Sequence, residues 1–215
     1  MRTKMMLTLF AGALLTLQAQ AQVIGLPVGR GAEPGLTNDV IVSGGLVLGD
    51  DINLYGGRLA FNVLDDVFVF GGLGAVDPDR GDTGYGLQVG GQLTLPPIQN
   101  LLADVAVRGT LGYASLDQRF GGVKAEVDIM TLSLMGVISH RIDDMFTIYG
   151  VLGFAYSDTD VEARVEGVRV SSSDSEFDPA VGVGVSVDLM PQLSIYGEVI
   201  HIDDPWFGIG AALKL

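Results

Sequence analysis

An all-β fold, an antiparallel up-and-down barrel set in a membrane, follows from three features of this sequence. Apolar residues alternate with small or polar ones in run after run, as side chains on opposite faces of a strand must. The charged residues of those runs keep to the face that is not apolar. Beyond the N-terminus no run is long and apolar enough for a membrane helix, and 31 glycines without a collagen-like period suit many twisted strands.

Residues 1–21 read as a secretory leader, with Arg2 and Lys4 at its start, an apolar run from Met5 to Leu17 and the small-x-small site Ala19-Gln20-Ala21. The run is too short to span a bilayer as a helix, and Gln18, Gln20 and Gln22 interrupt it. About 190 residues remain, enough for one domain. Removing the leader takes away two positive charges and moves the formal net charge from −14 to −16. So acidic a chain offers no basic stripe to nucleic acid. With no cysteine, disulfides, thiolate nucleophiles and cysteine metal sites are excluded.

Residues 22–39 hold Pro27, Pro34 and four glycines without a sustained period. They read as an irregular periplasmic lead-in, a short plug inside the lumen being the alternative. The barrel is assigned to 40–215. Val40 to Leu48 is a first strand whose polar face is interrupted by Ile41 and Val47. Tyr55, Gly57, Leu59, Phe61 and Val63 then oppose Gly56, Arg58, Ala60 and Asn62, and Leu64-Asp65-Asp66 turns the chain into Val67 to Val76.

After the turn-rich Asp77 to Thr83, Tyr85, Leu87, Val89, Gly91, Leu93 and Leu95 oppose Gly86, Gln88, Gly90, Gln92 and Thr94, until Pro96 and Pro97 end the strand. Val105, Val107, Gly109, Leu111 and Tyr113 oppose Asp104, Ala106, Arg108, Thr110 and Gly112. A loop is expected over Ser115 to Val123. Lys124 to Ser139 is long enough to project from the membrane, and a slip of its apolar parity near Ile129-Met130 predicts a bulge. Arg141 to Asp144 turns the chain into Phe146 to Ser157. The acid- and serine-rich stretch Asp158 to Asp178 is the longest expected loop, folding in part as an extension of its strands.

From Val181, four valines alternate with Gly182, Gly184, Ser186 and Asp188. After Met190-Pro191-Gln192 comes Leu193 to Ile202. The last strand sets Phe207, Ile209, Ala211, Leu213 and Leu215 against Gly208, Gly210, Ala212 and Lys214. Short turns near Leu64, Pro96, Ile142 and Pro191 imply ten strands, an eight-stranded barrel starting near Val67 being the alternative.

A repeat runs through the chain: a short turn, an alternating entry, then an aromatic followed by glycine at Phe70-Gly71, Tyr149-Gly150 and Tyr196-Gly197. Phe70, Tyr149 and Tyr196 are expected to face the lumen, each ring lying over a glycine of a neighbouring strand. Arg58, Arg108, Glu198, Asp104 and Asp188 fall on the same inner face and form the expected charge network, since a charge in a narrow lumen must pair or meet water. A cation on the lipid face would cost about 2–4 kcal/mol at mid-depth.

With its leader, its repeat and its alternating C-terminal strand, the region from about Val40 to Leu215 resembles the small bacterial outer-membrane β-barrel proteins, the porin-like group that includes outer-membrane protein A domains. The resemblance implies export to the outer membrane, contact with its lipid and lipopolysaccharide, and handling by periplasmic chaperones and the barrel-assembly machinery. Members end in an aromatic that this machinery reads. Here Leu215 takes that place, behind Phe207, Ile209, Ala211 and Leu213.

No cofactor or metal is expected. Asp77, Asp79 and Asp82 lack the distal glutamate of a calcium loop, and the acids from Asp158 to Asp178 read as a solvated loop. His140 lies at a periplasmic turn. His201 with Asp203 is similar in kind to the Asp/His group of omptin-type outer-membrane proteases, but its parity points it to lipid. The sequence therefore reads as a barrel with a structural or surface-interaction role, its lumen filled by small residues and paired charges. A narrow passive channel for small solutes is the second reading and a rim-located hydrolase the third.

Overall fold

The computed structural model describes residues 28–49, 52–79, 82–120, 123–165 and 168–215. The expected leader, Gln22 to Pro27, Gly81 of the turn-rich stretch and Glu166 of the acidic stretch lie outside them. Ten strands form the wall: β1 Val40–Leu48, β2 Ile52–Leu64, β3 Val67–Pro78, β4 Asp82–Thr94, β5 Asp104–Phe120, β6 Val123–Arg141, β7 Phe146–Val165, β8 Val168–Met190, β9 Leu193–Ile202 and β10 Asp204–Lys214. Each pairs antiparallel with its neighbours in sequence, and β1 closes on β10 with Ile41 opposite Lys214 and Leu48 opposite Phe207. Closure leaves no edge within the barrel proper, as hydrocarbon demands of a sheet. The strand count is ten, not eight.

Alternation sets the faces. Leu87, Leu111 and Val183 are 50%, 40% and 64% exposed on the outer wall, whereas Arg58, Arg108 and Glu198 are buried inside. Between Met130 and Ile138, β6 crosses about 20 Å at a tilt of about 40°, close to the apolar band of about 25 Å that such barrels present.

The strands are unequal. β1, β9 and β10 have 9, 10 and 11 residues, but β5 to β8 have 17, 19, 20 and 23. The described residues of the expected loop over Ser115 to Val123 are therefore strand, joined by pairs as far as Phe120 with Val123. Of the stretch Asp158 to Asp178, the described residues are likewise strand, β7 and β8 pairing out to Val165 with Val168. β8 meets β9 only from Ala180 onward, so the backbone from Val168 to Pro179 has β7 on one side and no described strand on the other.

β6 contains no bulge: its register with β5 and β7 runs unbroken through Ile129 and Met130. Irregular register occurs instead at strand ends, at Asn62/Leu64, Asp82/Tyr85 and Asp188/Met190. What changes near Ile129 is polarity. Below it, β6 points Met130, Leu132, Leu134 and Ile138 outward and a mixed set, Thr131, Met135, Val137 and Ser139, inward; above it, Glu126 and Asp128 point outward and Ala125, Val127 and Ile129 inward. β7 switches at the same height, from outward Phe154 and Tyr156 to Asp158 and Asp160. The strands have left hydrocarbon for water, and their inner face packs as the core of a water-soluble barrel does.

That core closes the extracellular half. Val47, Ile52, Leu54, Val76, Leu116, Val127, Ile129, Val161 and Trp206, all buried, form one cluster across the bore. The expected interior of small residues and paired charges is thus not what fills the extracellular half, and in the periplasmic half Arg58, Arg108 and Glu198 sit beside the buried Met135, Val137 and Val151.

The lead-in also departs from the expectation of a purely periplasmic segment. Ala32 is wholly buried, its N–H donating to Ser139 Oγ on the inner wall. Residues 28–34 run down inside the lumen, and the chain reaches the periplasmic rim at Gly35, whose N–H donates to Asp65 O. Asn38, at φ 70°, turns it into β1, a left-handed conformation that asparagine tolerates.

Candidate functional site

The lumen gathers the charged and aromatic residues. Phe70, Tyr149 and Tyr196 all point inward and are nearly fully buried. Each stands directly opposite a glycine of the next strand, Gly90, Gly184 and Gly210. A Cβ at any of these glycines would overlap the ring. The two tyrosine rings cross the glycine strand towards the strand beyond: Tyr149 Oη donates to Glu198 Oε2 at 2.7 Å, Gly184 standing opposite both residues. Tyr196 likewise passes over Gly210 towards Gly45 of β1.

The repeat behind this extends to all odd-numbered strands. Ser43-Gly44 in β1 and Arg108-Gly109 in β5 hold the places of Phe70-Gly71, Tyr149-Gly150 and Tyr196-Gly197. Sequence reading keyed on aromatics and passed over these two. The shared signal was the glycine that follows an inward residue at the fourth place of β1, β3, β7 and β9 and the fifth of β5.

Around Arg108 the contacts are specific. Its Nε donates to Gln92 Oε1 at 3.0 Å and a terminal nitrogen donates to Arg30 O at 2.6 Å. Arg58 donates to Gln88 Oε1 at 2.7 Å and lies 4.9 Å from the Phe70 ring centre. Glu198 acts electrostatically on both arginines. The five charges grouped from the sequence therefore divide. Arg58, Arg108 and Glu198 share the middle of the lumen. Asp104 stands at the periplasmic start of β5, and Asp188 pairs with Arg141 at 2.8 Å on the rim, where both are partly exposed.

Residues 28–35 supply what the sequence did not assign. Gln92 Nε2 donates to Gly31 O and Thr94 Oγ1 to Ala32 O, at 2.8 and 2.9 Å. The Arg30 guanidinium lies 4.5 Å from the Phe68 ring centre. Gly29, at φ 62°, abuts the face of Tyr196, and Gly35 abuts Asn62. The closely spaced glycines 29, 31 and 35 around one arginine were the available clue.

At the rim, Lys214 pairs with Asp39 at 2.6 Å across the β1–β10 seam. Burial pushes the Asp39 carboxyl up, but hydrogen bonds from Lys214 and the Leu36 N–H outweigh it and hold the group below its ordinary value. His140 Nδ1 lies 2.5 Å from Leu102 O. His201 is exposed on the outer face of β9, with Asp203 in the turn that follows. The outer face of β10 carries Phe207, Ile209, Ala211 and Leu213, and the exposed Leu215 follows the strand.

Among solved structures the fold is similar to the attachment invasion locus protein Ail of Yersinia pestis, at 16% identity and a TM-score of 0.44, over 84% of this chain and 100% of that one. The N-terminal β-barrel domain of Pseudomonas aeruginosa OprF matches at 10% and 0.44, over 83% and 98%. The outer membrane protease OmpT of Escherichia coli matches at 9% and 0.50, over 83% and 94%. These likenesses concern the fold alone. The comparison with curated proteins returns no match. The family described as outer membrane protein beta-barrel domain matches residues 8–205, and with its closed ten-stranded wall, apolar outside and charged within, this chain belongs to that bacterial outer-membrane family.

Proposed function

We propose that the chain is a sealed outer-membrane barrel whose work is structural in the bilayer and interactive at the cell surface, rather than a conduit. One observation carries the reading: the extracellular half of the bore is a dry core in which Leu54, Val127, Ile129 and Trp206 pack against one another. A hydrated solute would have to part this core, at a cost that grows with every apolar contact it opens. Charges in the periplasmic half serve to brace the wall. Outer-membrane lipid and lipopolysaccharide cover the outer band, and chaperones with the barrel-assembly machinery receive the chain on its way there. The surface offered to partners is the β5–β8 extension, with acids on its outer face and a backbone edge along Val168 to Pro179. Conductance in planar bilayers tests the seal. No discrete steps are expected from the refolded protein or from Glu198→Ala, and steps that change size in that variant would replace this reading with a pore.

A further inference from the structure

We propose that the periplasmic half of the lumen is a peptide-binding site, filled in cis by residues 28–35, whose occupant leaves and is replaced in trans by an extended peptide of the same pattern. Recognition runs through the main chain. Arg108, Gln92 and Thr94 donate to the carbonyls of Arg30, Gly31 and Ala32, and Ser139 accepts the Ala32 N–H. Three consecutive residues are thus gripped by four inward side chains of β4, β5 and β6.

Selectivity is steric and electrostatic. At Gly29 a side chain would enter the Tyr196 ring, at Gly31 it would stand 2.5 Å from the Glu33 carboxylate of the segment itself and 2.6 Å from Ser139 Cβ on the wall, and at Gly35 it would strike Asn62. Between the first two sits Arg30, whose cation meets the face of Phe68. The ligand class is therefore an extended segment with small residues at these places and an arginine between them.

The occupant is held loosely compared with the wall. From Val28 to Pro34 the described hydrogen bonds to the barrel come from side chains, and backbone pairing begins only at Gly35 with Asp65. Its apolar anchors are Ala32 and, at the edge of the Phe68 and Phe70 cluster, Val28. Fixing a flexible segment costs entropy at every residue, so exchange does not require the wall to open. Above the site the dry core is continuous, so departure exposes a blind cup facing the periplasm.

The test uses the full chain in detergent and a fluorescent peptide of residues 28–36. Gly31→Val places a branched side chain against Ser139 and evicts the cis segment; Gly29→Val does so at Tyr196. Folding of each variant is verified by heat-modifiable migration. Peptide anisotropy is expected to report binding to either variant about tenfold tighter or more than to the unaltered chain, in which about one cup in ten or fewer stands empty. A peptide carrying Gly31→Val itself is expected not to bind. Equal affinity for variant and unaltered barrels, or for both peptides, overturns the proposal. So does failure of both variants to fold, because the segment would then be part of the core and not exchangeable.

Discussion

Tyr149 on β7 hydrogen-bonds Glu198 on β9 across the whole width of β8, and it does so because the residue between them is Gly184. The pair places a carboxylate against Arg58 and Arg108 where little water reaches. Glu198→Ala leaves two buried cations without it, an expected loss of about 3–5 kcal/mol. Tyr149→Phe removes one hydrogen bond to a charged group and is expected to cost about 1.5–3 kcal/mol. Urea unfolding in detergent, followed by tryptophan fluorescence, gives both values. If Glu198→Ala unfolds at the same urea concentration as the unaltered protein, water already compensates these charges and the seal is absent.

Inward and outward glycines are predicted to respond oppositely to a methyl group. At Gly184 the added Cβ overlaps the Tyr149 ring, so Gly184→Ala is expected to destabilise by about 1–3 kcal/mol. At Gly44, on the lipid face, the nearest atom is Gly56 O at 3.5 Å, and Gly44→Ala is expected to stabilise by about 0.5–1 kcal/mol. In a Tyr149→Ala background the cost at Gly184 should disappear. A cost that survives there would trace to the backbone rather than to the ring.

The contrast between these two glycines indicates what the sequence made legible. Period-two patterning assigns a face, so the inward Arg58, Arg108 and Glu198, the rings of Phe70, Tyr149 and Tyr196 and the ten strands could all be read from it. The period alone does not say where along a strand the medium outside it changes. At Ile129 an exchange of both media looked like a slipped residue, and the acidic strands from Asp158 to Asp178 looked like loop because their outer face meets water. Residues 28–34 have no period at all, since side chains of other strands hold them, and their place depends on contacts such as Ser139 with Ala32, 107 positions apart.

Acid is expected to loosen the base of the lumen segment. Thr37 donates its hydroxyl and its N–H to Asp65 Oδ1, at 2.5 and 2.8 Å. These bonds, the side-chain one foremost, hold the Asp65 carboxyl below its ordinary 3.8. A carboxyl lowered in the folded state contributes in full above that ordinary value and loses its contribution as the pH falls through the lowered one. The Thr37 amide resonance, followed by NMR, should therefore titrate below 3.8, and Asp65→Asn should abolish the step. Titration at the ordinary value would mean that the tether does not form.

The extension carries a conflict that a single substitution should relieve. On its outer face Glu126 stands opposite Glu162, and Asp128 opposite Asp160. Like charges in direct cross-strand register repel. Among the described residues, Glu162 pairs with Arg169, and Asp128 accepts the Tyr113 hydroxyl at 2.7 Å. Asp160 faces Ser173 on its other side, so Asp160→Lys turns repulsion from Asp128 into attraction without disturbing either contact. The expected gain is about 0.2–1 kcal/mol, local to the extension. Amide hydrogen exchange at Val127 and Val161 is the suitable readout, because whole-barrel unfolding averages over the membrane part. Exchange should slow at low salt, and the difference should shrink at about 1 M salt, where the screening length falls to about 3 Å. Unchanged exchange at both ionic strengths would contradict the facing register itself. Slower exchange identifies the paired acids as a cost the sequence keeps on the surface it presents outside the cell.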